Sequence, residues 1–179
     1  MKTIVIFVTS LDGKITKWGD PHVQRWSSKE DQAYFKKTWD DAQVIVMGSS
    51  TFDFDPVKPT PHNRLVIMTS HPETYKSREL PGQLEFTSES PAELVKRFAS
   101  EGYPQLLCVG GPHIATSFFK AGVVDELWLT LEPKIFGKGG NFVVESELDV
   151  ELKLLEIEKI NDRGTMIAKY AVLKESPTS

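Results

Sequence analysis

Strand and helix signals alternate through most of this 179-residue chain, and strand signals alone close it. That order predicts an α/β fold, a mixed and mostly parallel central sheet with helices on both faces and an antiparallel hairpin at its C-terminal end. Two further observations support it. The early strands are wholly apolar runs, the form a strand takes when helices cover both its faces. The last two strand-like stretches are joined by Asn161-Asp162-Arg163-Gly164, a hairpin turn.

Ile4-Val5-Ile6-Phe7-Val8 is the first buried strand, and Leu11-Asp12-Gly13-Lys14 supplies the turn after it. Ser27 with Glu30, and Ser28 with Asp31, are overlapping caps for a helix that carries Phe35 and Trp39 one turn apart and fades near Asp40-Asp41. Val44-Ile45-Val46-Met47 is a second strand, stopped by Gly48. Arg64-Leu65-Val66-Ile67-Met68 is a third, reached through a loop holding Pro56, Pro59 and Pro61, and Leu84-Glu85-Phe86 is a short fourth. Ser90-Pro91-Ala92-Glu93 is a capping box with proline at the first helical position, followed by the apolar stripe Leu94, Val95 and Phe98. Leu106-Leu107-Cys108-Val109 is a fifth strand. The helix after it carries Ile114, Ala115, Phe118 and Phe119 and ends at Ala121-Gly122. Strands follow over 126–131, 152–160 and 165–173, with Gly137-Lys138-Gly139-Gly140 expected in a hairpin loop. The chain reads as one domain over 1–174 with a frayed tail over 175–179.

Composition narrows the function. A formal net charge of -4 argues against nucleic acid as the partner, because phosphate neutralisation needs a basic face. One cysteine, Cys108, allows no internal disulfide, and its apolar run makes it a small buried hydrophobe. No run reaches the roughly 18 apolar residues of a membrane span, and no cleavable leader follows Met1, so the expected location is the cytoplasm. His22, His62, His71 and His113 lack metal-ligand spacing, so no metal is expected.

The clearest chemical signal is Val109-Gly110-Gly111-Pro112-His113, where a buried strand runs into a helix through two glycines. Glycine lets a ligand approach the backbone, and free N–H groups at a helix start favour phosphate. A tight turn alone would use the same residues. Polar groups at the other strand ends, Thr9 and Ser10, Gly48 to Thr51, and Thr69 and Ser70, are ordinary caps singly. Together they mark the end of an open sheet where ligands bind.

These residues resemble a known family. Ser10-Leu11-Asp12-Gly13-Lys14-Ile15 is similar to the S-L-D-G-x-I opening of the C-terminal reductase domain of bacterial bifunctional deaminase-reductases, in the dihydrofolate reductase superfamily. Met47-Gly48-Ser49-Ser50-Thr51-Phe52 resembles its M-G-x-x-T-[FY] turn. Val109-Gly110-Gly111, Val123-Val124-Asp125-Glu126-Leu127 and Ile135-Phe136-Gly137-Lys138-Gly139 resemble its later motifs, in order. The resemblance implies a stand-alone reductase using NADPH on a small-molecule heterocycle, such as the ribosylaminopyrimidine of riboflavin synthesis. It places the nicotinamide near Val8, Thr9 and Ile15, the 2′-phosphate near Gly48, Ser49, Ser50, Thr51, Thr69 and Ser70, and the pyrophosphate at Gly110, Gly111, His113 and Ile114. Asp31 is then either a carboxylate that holds and protonates the substrate ring, or a helix cap with Ser28. Many relatives carry arginine where Ser49 stands, which leaves preference for NADPH over NADH open, with Arg64 or His71 as compensating cations. Lys14, Lys17 and Arg25 are candidates for a substrate phosphate, and Trp18, Trp26 and Trp39 for the substrate pocket. A homodimer through Phe118, Phe119 and Trp128 fits the family. A dihydrofolate reductase-like activity and a non-catalytic nucleotide-binding module remain as alternatives.

Overall fold

A computed structural model describes residues 1–174; the expected tail over 175–179 lies outside the described residues. Eight strands make one sheet. They are β1 (Lys2–Ser10), β2 (Val44–Gly48), β3 (Arg64–Met68), β4 (Leu84–Thr87), β5 (Gln105–Gly110), β6 (Glu126–Glu132), β7 (Leu152–Lys159) and β8 (Met166–Val172). The order across the sheet is β4-β3-β2-β5-β1-β6-β8-β7. Pairing is parallel from β4 through β6, while β8 runs antiparallel to β6 and β7 antiparallel to β8. Parallel pairing requires crossovers, and these are α1 (Lys29–Asp41), α2 (Ser49–Phe54), α3 (Pro91–Ser100) and α4 (Pro112–Lys120).

The crossovers cover the two faces separately. Val5, Val46, Val66, Leu106 and Cys108 meet Leu94 and Phe98 of α3 and Ala115, Phe118 and Phe119 of α4. Ile4, Ile6, Ile45, Leu65, Ile67 and Leu107 face the other way, toward Tyr34, Phe35 and Trp39 of α1 and Phe52 of α2. Alternation along each strand accounts for the split, since consecutive side chains point to opposite faces. Each fully buried Leu or Ile contributes about 2 kcal/mol, so the central strands hold the sheet together.

The helix caps resolve as capping chemistry predicts. Ser28, not Ser27, is the α1 N-cap, its hydroxyl accepting from the Asp31 N–H at 3.2 Å. Ser90 and Glu93 form the full capping box of α3. The 160–165 turn closes the β7–β8 hairpin, with Gly164 N–H bonded to Asn161 O at 3.2 Å.

Two expectations are corrected. The segment 137–140 is not a hairpin loop, because β6 pairs with β8 rather than β7, and the segment packs on the loop after β1 instead. Phe118 and Phe119 are core residues on the α4 face, so they offer no surface to a second copy. The open edge lies elsewhere. Every side chain of β7 is exposed, Leu154 and Ile157 among them.

Candidate functional site

The carboxyl ends of β2, β3, β4 and β5 open onto one cleft of about 560 Å³. Its walls are Gly48 to Thr51 after β2, Met68 to Ser70 after β3, Thr87 to Glu89 after β4, and Gly111 to Ile114 after β5. Thr69 N–H donates to Thr87 O at 2.9 Å, which carries the β3–β4 contact past the end of the ladder.

At the centre the backbones come unusually close. A Cβ on Gly48 would sit 2.9 Å from Ile114 Cγ1, and one on Gly111 would sit 3.0 Å from Thr51 Oγ1. Glycine at both positions brings the turn after β2 against the start of α4. Gly110 has φ +123, and the Gly110–Gly111 peptide is cis. No side chain caps the α4 N-terminus, so its first N–H groups face the cleft without an internal acceptor. An anionic group on this floor would meet backbone donors, the hydroxyls of Ser49, Ser50 and Thr51, and the positive end of α4. The pyrophosphate of a dinucleotide fits that chemistry.

Beside the cleft, the loop after β1 is fastened to the segment after β6. Ser10 Oγ donates to Asp12 Oδ1 at 2.6 Å, and the Asp12 carboxylate accepts the Phe136 and Gly137 N–H groups at 3.1 and 2.7 Å. The Ser10 hydroxyl bond, outweighing desolvation and helped by those two amides, lowers the Asp12 pKa to about 2. Ile15 N–H donates to Gly140 O at 2.8 Å and Trp18 N–H to Lys138 O at 3.1 Å. The fit is tight at Gly139, where a Cβ would stand 2.0 Å from Thr16 O. The loop that holds Ile15 is therefore built from both ends of the fold.

A second polar group lies under α1. Asp31 is 5% exposed, and its carboxyl faces the Thr130 and Ser27 hydroxyls and the Glu132 carboxylate. Burial pushes its pKa up, the Thr130 and Ser27 bonds oppose that, and the charge on Glu132 adds to it. Glu132, 2% exposed, accepts Ser28 N–H at 2.6 Å and the Thr165 hydroxyl at 2.9 Å. Its bonds fasten α1 to β6 and to the start of β8. Thr130 lies beside Val8 in the β1–β6 register, so Asp31 stands one strand from the end of β1. Trp26 Nε1 and Tyr34 Oη are buried with no partner among the described residues, and burial pushes the Tyr34 phenol up to about 12.

The structure thus gathers Gly48, Ser49, Ser50, Thr51, Thr69, Ser70, Gly111, His113 and Ile114 into the cleft. Val8, Thr9 and Ile15 lie on β1 and its loop, outside the cleft walls, and Thr9 is buried. The Asp31 side chain does not cap α1; Ser28 does, and the carboxyl is turned to the sheet. Arg64 opens β3 at the opposite end of the strand, bonded to Glu85 and Glu101 at 2.6 and 2.8 Å, so it cannot serve the cleft. His71 pairs with Glu73 at 3.3 Å. Lys14 bonds Asn141, Arg25 bonds Asp20, and Lys17 lies over the Trp18 ring. Trp26 is buried against Phe136, Trp39 joins the α1 face of the core, and Trp18 is 66% exposed. Cys108 is fully buried, its thiol pushed up to about 12 by desolvation. Among the described residues no group of three or more His, Cys, Asp or Glu is placed to hold a metal ion. No helix among them is long and apolar enough to cross a membrane.

Thr130, Glu132 and the 87–89 wall were not among the expected site residues. A signal for the first two exists: they sit two apart in Trp128-Leu129-Thr130-Leu131-Glu132, so one face of an otherwise apolar strand turns polar at its end.

A mostly parallel sheet in this strand order, closed by an antiparallel C-terminal hairpin, is a dihydrofolate reductase-like fold. The sequence profile of the RibD C-terminal domain matches residues 1–166, and the chain belongs to that family. Solved structures of similar fold include a pyrimidine reductase-like protein from Corynebacterium diphtheriae (TM-score 0.78, 16% identity, 97% of this chain and 92% of that one). A diaminohydroxyphosphoribosylaminopyrimidine deaminase/5-amino-6-(5-phosphoribosylamino)uracil reductase from Thermotoga maritima gives 0.73 at 15% identity, covering 96% of this chain and 56% of that one. Dihydrofolate reductase from Enterococcus faecalis, complexed with NADP(H), gives 0.69 at 19% identity, covering 97% of each chain.

Proposed function

We propose that this chain is a reductase that passes hydride from a reduced nicotinamide dinucleotide to a small heterocyclic ring. The activity would resemble that of the 5-amino-6-(5-phosphoribosylamino)uracil reductases of riboflavin biosynthesis. The family implies NADPH as the donor. The observation that carries the reading is the α4 N-terminus on the cleft floor, which no side chain caps and against which Gly48 and Gly111 let the turn after β2 pack closely.

The bound dinucleotide supplies the hydride, and the chain supplies everything around it. The His113 and Ile114 N–H groups and the Thr51 hydroxyl beside Gly111 would hold the pyrophosphate. Val8 and Ile15 flank the nicotinamide position, with the fastened 10–18 loop excluding water. The Asp31 carboxyl, protonated more readily than a free Asp because it is buried, stands at a substrate ring as proton donor and orienting group, and Thr130 fixes its rotamer.

A dihydrofolate reductase-like activity is the second reading, favoured by a buried carboxylate on α1 one turn before Phe35. Loss of reduced-nicotinamide absorbance with the aminopyrimidine substrate and with dihydrofolate separates the two. Turnover of one of them, lost in Asp31→Asn with dinucleotide binding kept, is the expected result. Binding of the dinucleotide with no turnover of either ring would leave a nucleotide-binding module and overturn the reductase reading.

A further inference from the structure

The far end of the cleft presents a carboxylate, and the one guanidinium against it, Arg97, is engaged by acids. Among the described residues that line it there is no Lys or Arg, and its acid is Glu89. That carboxylate is held in place. Arg97 Nε lies 3.0 and 3.1 Å from its two oxygens, Arg97 Nη2 lies 2.7 Å from Oε2, and the Thr87 hydroxyl donates to Oε2 at 3.0 Å. The Arg97 bond lowers its pKa, so Glu89 is ionised at neutral pH. Arg97 is also engaged by Glu85 at 2.5 Å and Glu101 at 3.7 Å, and Arg64 by the same two acids. Two guanidinium groups thus face three carboxylates, and the network keeps one negative charge. Arg78, the remaining nearby guanidinium, is paired with Asp53 at 2.7 Å and lies over the Phe52 ring.

Topology says which part of a dinucleotide meets Glu89. With the pyrophosphate at the β5 end, the chain of strands β2, β3 and β4 carries the cleft about 14 Å outward at ordinary strand spacing. With the nicotinamide at Val8 and Ile15, as proposed above, adenosine would lie in that direction. A ribose 2′-hydroxyl donates well to a carboxylate, whereas a 2′-phosphate needs a guanidinium or ammonium partner and is repelled by a like charge. The Ser49, Ser50, Thr69 and Ser70 hydroxyls suit the neutral ribose and carry no compensating charge.

Resting on the dinucleotide reading above, we propose that the adenosine half of the cleft accepts an unphosphorylated ribose. Glu89 is then the specificity-determining residue, and NADH is preferred to NADPH.

Calorimetric titration of the full chain with NADH and with NADPH tests this. The expected result is NADH binding about tenfold tighter, the scale of one unfavourable charge contact. Ser49→Arg should narrow or reverse the ratio by strengthening NADPH alone. Glu89→Gln should raise NADPH affinity without raising that for NADH. Equal or tighter binding of NADPH by the unaltered chain overturns the inference while leaving the dinucleotide reading intact. A ratio unmoved by Ser49→Arg also overturns it, even if Glu89→Gln proves unstable. Failure of both dinucleotides to bind at millimolar concentration removes the dinucleotide reading itself, and this inference with it.

Discussion

Replacing Asp31 by asparagine separates a functional carboxylate from a structural one by its effect on stability. Asp31 is buried beside Glu132, with its pKa raised above the ordinary 3.8. A raised native pKa means that the folded state takes up a proton that the unfolded state does not. Stability therefore falls as pH climbs from about 4 toward the native pKa, by about 1.4 kcal/mol per unit across that window, and levels off above it. Asparagine keeps an oxygen to accept from Thr130 or Ser27 but carries no charge against Glu132. Asp12, Asp53 and Glu89, whose lowered pKa values give the opposite slope, are common to both proteins and cancel in the difference. Asp31→Asn should match the parent near pH 4 and exceed it at pH 7, by the roughly 0.5–2 kcal/mol common for a single stabilising substitution, with a correspondingly higher Tm. Urea unfolding of both proteins from pH 4 to 8 measures this. A difference that stays flat with pH, or an asparagine variant less stable at pH 7 than at pH 4 relative to the parent, would refute the reasoning and make Asp31 a structural hydrogen-bonding group.

Two other perturbations test the scaffold. Gly139→Ala places a methyl 2.0 Å from Thr16 O, so the 10–18 and 133–141 segments must part. Faster amide exchange at Ile15 and Trp18 and a loss of about 1–3 kcal/mol are expected, and unchanged exchange would show that the two loops are not coupled. Phe118→Ala removes a fully buried ring between α4 and the sheet and should cost about 3–5 kcal/mol in urea with an unchanged m value, whereas a cost below about 1 kcal/mol would place Phe118 at a surface.

The central strands were legible because parallel strands buried on both faces must be apolar throughout, as in Ile4 to Val8 and Val44 to Met47. Helix starts were legible because Ser28 and Ser90 are local chemistry. What sequence could not carry was pairing at a distance. Nothing local says that β6 joins β8 rather than β7, so the 137–140 glycines read as a hairpin when they are a docking segment for the β1 loop. The same limit hid Glu132, whose partners Ser28 and Thr165 come from separate parts of the chain. It also made the α4 phenylalanines look available, since an apolar helix face does not announce which sheet it lies against. The strand-end hydroxyls, by contrast, converge as an open α/β sheet requires.

Placing β1 in the middle of the sheet also sets a schedule for assembly. Its neighbours are β5 and β6, and the Asp12 carboxylate waits for an amide 124 residues further along the chain. Its first partner to be made, β5, begins at Gln105, so at the usual pace of synthesis the earliest-made strand waits roughly 5–20 s for a neighbour. The ribosome therefore delivers the apolar run Ile4 to Val8 long before its place in the sheet exists. Nascent chains of this protein spend those seconds in need of shielding from one another, and the rate-limiting contacts are long-range ones whose closure is slow.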